Sequence, residues 1–214
     1  MKIPLGLFLA AGLAVASPPA ISPAAGLRLS ADELARIAAG EVVVRLEPAP
    51  GGGPRQGVGA ATIDQPPARV FAALTDFAHW SEFMPFMTRS EARREADGSV
   101  LCAQALALPS GERHYLARAV SRIEGTGERT AWQVTWSYLP GSGNITAQRG
   151  SWTLTTFEAG HGAGRTLAVL HLASDPGGVS GWLADRVTAK SIPWIFNGLR
   201  QHVRRDRYSP ARPG

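Results

Sequence analysis

The chain has 214 residues, of which 44% are hydrophobic and 18% charged, and it carries a formal charge of +5 and one cysteine. That balance excludes a disordered chain and fits one domain able to bury its own core without a disulfide or structural metal. A lone thiol cannot close an intrachain bridge, so Cys102, in an apolar strand-like run, reads as buried and inert.

Residues 1–16 read as a signal peptide. Lys2 gives a positive start, an uncharged apolar run follows, and Ala14-Val15-Ala16 offers small residues to a signal peptidase before Ser17. The run is shorter than the roughly 20 residues of a spanning helix. Cleavage is expected, with an uncleaved anchor as the alternative, and the expected location is exported, periplasmic or secreted. Residues 17–40 form a leader rich in Pro, Ala and Ser, with one short helix. Ser30 and Glu33 have capping-box spacing, Leu34, Ile37 and Ala38 give an apolar side, and Gly40 ends it.

Residues 41–47 and 56–63 read as strands, separated by a turn holding three consecutive glycines. Pro66 and Pro67 open a helix with Val70, Phe71, Leu74 and Phe77 at helical spacing. Residues 76–85 then make a second short helix or turn carrying Trp80, Phe83 and Met84. Six strands follow at 88–95, 99–108, 113–124, 129–138, 146–157 and 165–174. Gly, Pro, Ser and Asp turns separate them, which predicts an antiparallel meander. In Trp132-Gln133-Val134-Thr135-Trp136-Ser137-Tyr138 every second residue is large and apolar, so one strand face is covered.

From Val179 to about Arg205 the pattern becomes one long helix. Trp182, Leu183, Val187, Ile192, Ile195, Phe196, Leu199 and Val203 recur at three- and four-residue steps, and Pro193 predicts a kink. Residues 41–205 thus make one domain, and 206–214 a flexible tail.

The order of elements, and several short motifs in order, carry a resemblance. They are the stretch from Ala61 through Asp64, Pro66, Val70, Phe71 and Leu74 to Asp76-Phe77; His79-Trp80; Phe83-Met84-Pro85; Gly150-Ser151-Trp152-Thr153-Leu154; and Ile192-Pro193 with Leu199-Arg200. Together they resemble the START-like (SRPBCC) superfamily, in its polyketide cyclase/dehydrase and coenzyme Q-binding branches. The resemblance spans roughly residues 41–203. It implies an α+β helix-grip fold: a curved antiparallel sheet around a long C-terminal helix, with two short helices after the second strand and a cavity between sheet and helix. Members bind lipids, sterols, quinones or polyketides, and a minority are enzymes; fold alone does not choose.

The five histidines are scattered, and no metal-ligand spacing, nucleophile elbow or phosphate loop is present. No cofactor is expected. What remains is an aromatic interior suited to a hydrophobic small-molecule ligand. The candidate ligand-binding residues are Trp132, Trp136, Trp152, His171, Arg118, Met84, Met87, Trp194, Ile195 and Leu199. Each aromatic has plain core packing as its alternative. His171 alternates with apolar residues near a strand end and either bonds a ligand or is satisfied within the core. Arg118 is mid-strand and either anchors a head group or faces solvent. Met84 and Met87, beside Phe83, Phe86 and Pro85, are either an adaptable gate or core beneath the first helix. Arg200, Arg204, Arg205, Arg207 and Arg212 are either a weak contact for an anionic membrane or a solvated helix end. Nucleic acid is not an expected partner, and a monomer is.

Non-enzymatic binding or transport of a hydrophobic molecule is therefore the expected function. A cyclase or aromatase pairing His171 with Arg118, Asp175 or Tyr115 as acid and base is the alternative. A module acting at the membrane surface is the third reading.

Overall fold

The computed structural model describes residues 27–48, 55–157, 164–178 and 180–208. The signal segment and most of the leader, the triple-glycine turn, His161, Val179 and the tail beyond Tyr208 lie outside the described residues.

Helix α1 (Ala31–Ala38) opens on the expected capping box: the Ser30 hydroxyl accepts from the Glu33 N–H, and the Glu33 carboxylate accepts from the Ser30 N–H at 2.8 Å. The same carboxylate meets Arg45 of strand β1 (Val43–Glu47). The hydrogen bonds from Arg45 and Ser30 hold its carboxyl at about 2. Strand β2 (Gln56–Ile63) leads to α2 (Pro67–Thr75), with proline in its first turn, and then to a 3-10 turn over Phe77–Glu82. Six strands follow: β3 (Met87–Arg94), β4 (Val100–Leu108), β5 (Gly111–Glu124), β6 (Ala131–Tyr138), β7 (Ala147–Thr156) and β8 (Thr166–Asp175). Helix α3 (Gly181–His202) runs continuously through Pro193, and a 3-10 turn over Asp206–Tyr208 closes the described chain.

All eight strands form one antiparallel sheet in the order β1-β2-β8-β7-β6-β5-β4-β3. Strands β3 to β8 are the meander that the turn signals predict. Strand β2 pairs with β8 instead of β3, because α2 and the 3-10 turn carry the chain from one edge of the sheet to the other. This is the α+β helix-grip architecture.

The register fixes which side chains face α3. Odd residues of β2 and β5 and even residues of β4, β6, β7 and β8 share the inner face. One end of that face is filled by aromatic side chains under α2 and the 3-10 turn. The Trp80 ring meets Trp136 edge-on at 5.1 Å, its indole N–H donates to the Leu74 carbonyl, and Trp152 meets Phe196 edge-on at 5.1 Å. Helix α3 lies close against β2 because Gly57 and Gly59 present no side chain there. A Cβ on Gly57 would stand 2.7 Å from both Ile192 Cδ1 and Thr188 Cγ2. Arg200 ties the far end of α3 down, donating to the carbonyls of Thr62 and Gly40 at 2.9–3.1 Å. On the outer face, α1 covers a second small core of Ile37, Val43, Ala60 and Phe157, against which Leu167 and Val169 pack.

Candidate ligand-binding site

Between the N-terminal half of α3 and the other end of the inner face is a cavity of about 240 Å³. Helix α3 supplies Leu183, Ala184, Val187, Thr188, Ser191 and Ile195, which fall on one side at helical spacing. The loop before β3 supplies Met84, Pro85 and Phe86, with Met87 at the strand's first position. The sheet supplies Leu106, Leu108, Tyr115, Gln148, Leu172 and Ser174, and two turns add Pro109, Ser110 and Pro176. Among these lining residues there is no carboxylate, imidazole, ammonium or guanidinium group.

The rim is apolar and faces solvent. Phe86, Leu183, Val187 and Trp194 are all exposed, and Trp194 at 56% packs on Phe86 with ring centroids 6.0 Å apart. Phe86 holds φ at +65°, a conformation unusual for a side chain of its size, and its carbonyl accepts from the Ala107 N–H at 2.8 Å. The exposed Arg186 and Lys190 lie on the same helix as the apolar rim residues.

The wall also holds polar atoms with nothing to bond. Tyr115 is 2% exposed and Gln148 8%, yet the Tyr115 hydroxyl and Gln148 Oε1 have no hydrogen-bond partner among the described residues. Gln104, the cross-strand partner of Tyr115, is 3% exposed and its Oε1 is likewise unpartnered. Burial pushes the Tyr115 phenol above its ordinary value, so it is a neutral hydroxyl.

Of the residues singled out in the sequence, Met84, Met87 and Ile195 line the cavity, and Trp194 stands at its rim. Trp132, Trp136, Trp152 and Leu199 face the same side of the sheet but belong to the core at its other end, where α2 and the 3-10 turn cover them. The indole nitrogens of Trp136 and Trp152 are buried there without partners among the described residues.

His171 and Arg118 are not in the cavity. His171 is on the outer face of β8, with Leu167 and Val169, and its Nδ1 accepts from the Gln56 amide at 2.5 Å. Burial pulls its pKa below the usual imidazole value. Arg118, on the outer face of β5, donates to Asp97 at 3.0 Å and to the Ser99 hydroxyl at 2.9 Å. The reason is parity: both residues stand one position from inward-facing neighbours, Leu172 and Ala117, and a strand turns alternate side chains to opposite faces. The pairing of His171 with Arg118 and Tyr115 is therefore not assembled, since only Tyr115 faces inward.

The sequence reading missed Leu106, Leu108, Gln148 and Ser174, together with the helix positions Ala184, Thr188 and Ser191. The signal available was Gln148 in step with Trp152 and Leu154: an amide on the buried parity of a strand.

The other named features have structural partners. Burial pushes the Cys102 thiol up to about 12, in keeping with an inert side chain. Arg200 is occupied by backbone carbonyls, while Arg205 and Arg207 pair with Glu82. Buried His202 is in contact with the Tyr208 hydroxyl at 2.8 Å, and that hydroxyl donates to Asp76 at 2.9 Å. Among the described residues no cluster of His, Cys, Asp or Glu is placed to hold a metal ion, and no helix is long and apolar enough to cross a membrane.

Residues 56–202 match the family described as polyketide cyclase / dehydrase and lipid transport. The chain belongs to that family. Solved structures agree in fold. A STAR-related lipid transfer protein from Xanthomonas axonopodis is 21% identical, with a TM-score of 0.63 over 77% of this chain and 94% of that one. Human StAR-related lipid transfer protein 5 is 11% identical, with a TM-score of 0.63 over 76% and 82% of the two chains. An aromatase/cyclase from Streptomyces sp. R1128 is 15% identical, with a TM-score of 0.53 over 72% and 95%. At such identities the likeness establishes the helix-grip fold of this family member and leaves its chemistry to the site itself. No curated protein matches the chain.

Proposed function

We propose that this protein binds and carries a hydrophobic small molecule outside the cytoplasm. The observation that carries the proposal is the apolar cavity between α3 and the sheet, opening on a rim of exposed Phe86, Leu183, Val187 and Trp194. A cavity of about 240 Å³ that opens at an apolar rim suits a hydrophobic small molecule. The apolar rim with Arg186 and Lys190 beside it is the surface we assign to brief contact with an anionic membrane during loading, in place of the C-terminal arginines. Export rests on the charge, apolar run and small-residue site of residues 1–16.

The cyclase-type alternative has less support, because of the groups it called on only Tyr115 faces the cavity, while His171, Arg118 and Asp175 have the outer-face parity of their strands. The test is mass spectrometry of solvent extracts from protein beginning at Ser17, beside an Ala184→Phe variant that fills the cavity from α3. A recurrent hydrophobic compound, near-stoichiometric in the parent and lost in the folded variant, is the expected result. Parent protein that is empty and takes up no member of a lipid, sterol and quinone panel refutes the carrier reading.

A further inference from the structure

The unpartnered atoms in the cavity wall say more about the ligand than its size does. A buried acceptor or hydroxyl left without a hydrogen bond destabilises the fold, and native structures leave few of them. Here two stand on one wall, the Tyr115 hydroxyl and Gln148 Oε1, with Gln104 Oε1 directly across the strand pair from Tyr115. All three side chains are more than nine-tenths buried.

We infer that the cavity takes a neutral molecule bearing a hydroxyl group, phenol or alcohol, placed against Tyr115 and Gln148 with its hydrocarbon against α3. The inference rests on the binding function proposed above and specifies its ligand class. Three points lead to it. An amide oxygen needs a donor, which a ketone, quinone or ether oxygen does not supply. A hydroxyl both donates and accepts, so it can give its proton to Gln148 Oε1 or accept one from the Tyr115 hydroxyl. A carboxylate or phosphate would sit against this wall without a cation, since no basic side chain lines the cavity.

The test is calorimetric titration of one skeleton with three substituents: 2-naphthol, 2-methylnaphthalene and 2-naphthoate. The methyl compound replaces the hydroxyl at nearly constant shape. The parent protein should bind 2-naphthol about tenfold more tightly than 2-methylnaphthalene, equivalent to about 1.4 kcal/mol, and 2-naphthoate most weakly. In Tyr115→Phe and Gln148→Leu the preference should fall to about threefold or less, while 2-methylnaphthalene binds at least as well as to the parent. Tyr115→Phe preserves shape and keeps the test open if Gln148→Leu does not fold. Equal affinity for naphthol and its methyl analogue, tightest binding of the naphthoate, or an undiminished preference in both variants overturns the hydroxyl assignment and leaves the carrier function standing. If neither these compounds nor 1-decanol binds a parent that does take up a member of the lipid, sterol and quinone panel, the hydroxyl assignment falls alone; if the panel fails too, the carrier function falls with it.

Discussion

Gly57→Ala is a direct probe of how α3 is seated. The new Cβ would stand 2.7 Å from Ile192 Cδ1 and from Thr188 Cγ2, whereas ordinary contacts begin near 3.4 Å, so either these side chains shift or helix and strand separate. Overpacking of this kind costs about 1–3 kcal/mol. The backbone at Gly57 lies outside the left-handed region, so alanine regains about 0.4–1 kcal/mol through the unfolded chain. The net loss is then about 0–2.6 kcal/mol, centred near 1.3 kcal/mol, or a fall of about 3–5 °C in Tm at that centre for a domain of this size. Thermal and urea denaturation of parent and variant measure it. The second half of the test is Ile192→Val, which removes the Cδ1 methyl and alone costs about 0.5–1.5 kcal/mol. Combined with Gly57→Ala it should cost less than the sum of the two single changes, because each relieves the other. A Gly57→Ala protein more stable than the parent, or a double variant at the simple sum, refutes the claim that these glycines set the distance between helix and sheet.

Three further outcomes are expected. Trp152→Ala removes a fully buried ring packed on Phe196 and should lower the unfolding free energy by about 3–5 kcal/mol in urea titration. Arg200→Met leaves the Thr62 and Gly40 carbonyls without their guanidinium donor and should cost about 1.5–3 kcal/mol by the same measure, an effect that surface arginines do not show. Burial holds His171 and His202 below the usual imidazole value, so the unfolded chain takes up protons first as pH falls through about 6.5. Stability should be full at pH 7.5 and decline as pH falls through about 6.5 to 5, less steeply in His202→Gln; a urea midpoint that rises on acidification contradicts the assignment.

The strand pattern was legible in the sequence because alternation in a half-covered strand reports burial directly. Trp132-x-Val134-x-Trp136 announced an inner face, and the register puts all three there. What alternation does not report is position along the strand. The inner face has a filled end under α2 and an open end under the start of α3, and Trp136 and Gln148 differ only in which end they occupy. His171 illustrates a second limit. Both faces of β8 are covered, the inner by α3 and the outer by α1 and its core, so Leu167 and Val169 look like pocket lining while belonging to the far side. Arg118 was ambiguous for the same reason: a charge in a strand states that it has a partner, here Asp97 and Ser99, but not on which face.

The left-handed backbone of Phe86 has a consequence for the exchange of a ligand, on the carrier function proposed above. A non-glycine residue held at φ +65° costs about 1–2 kcal/mol, and here the side chain so displayed is the one lodged between Trp194 and the cavity. Replacement by glycine would relieve the backbone and remove the ring at once. Thermal resistance and residence time, which ordinarily rise together when a binding protein is tightened, would there move in opposite directions: a sturdier protein that leaks.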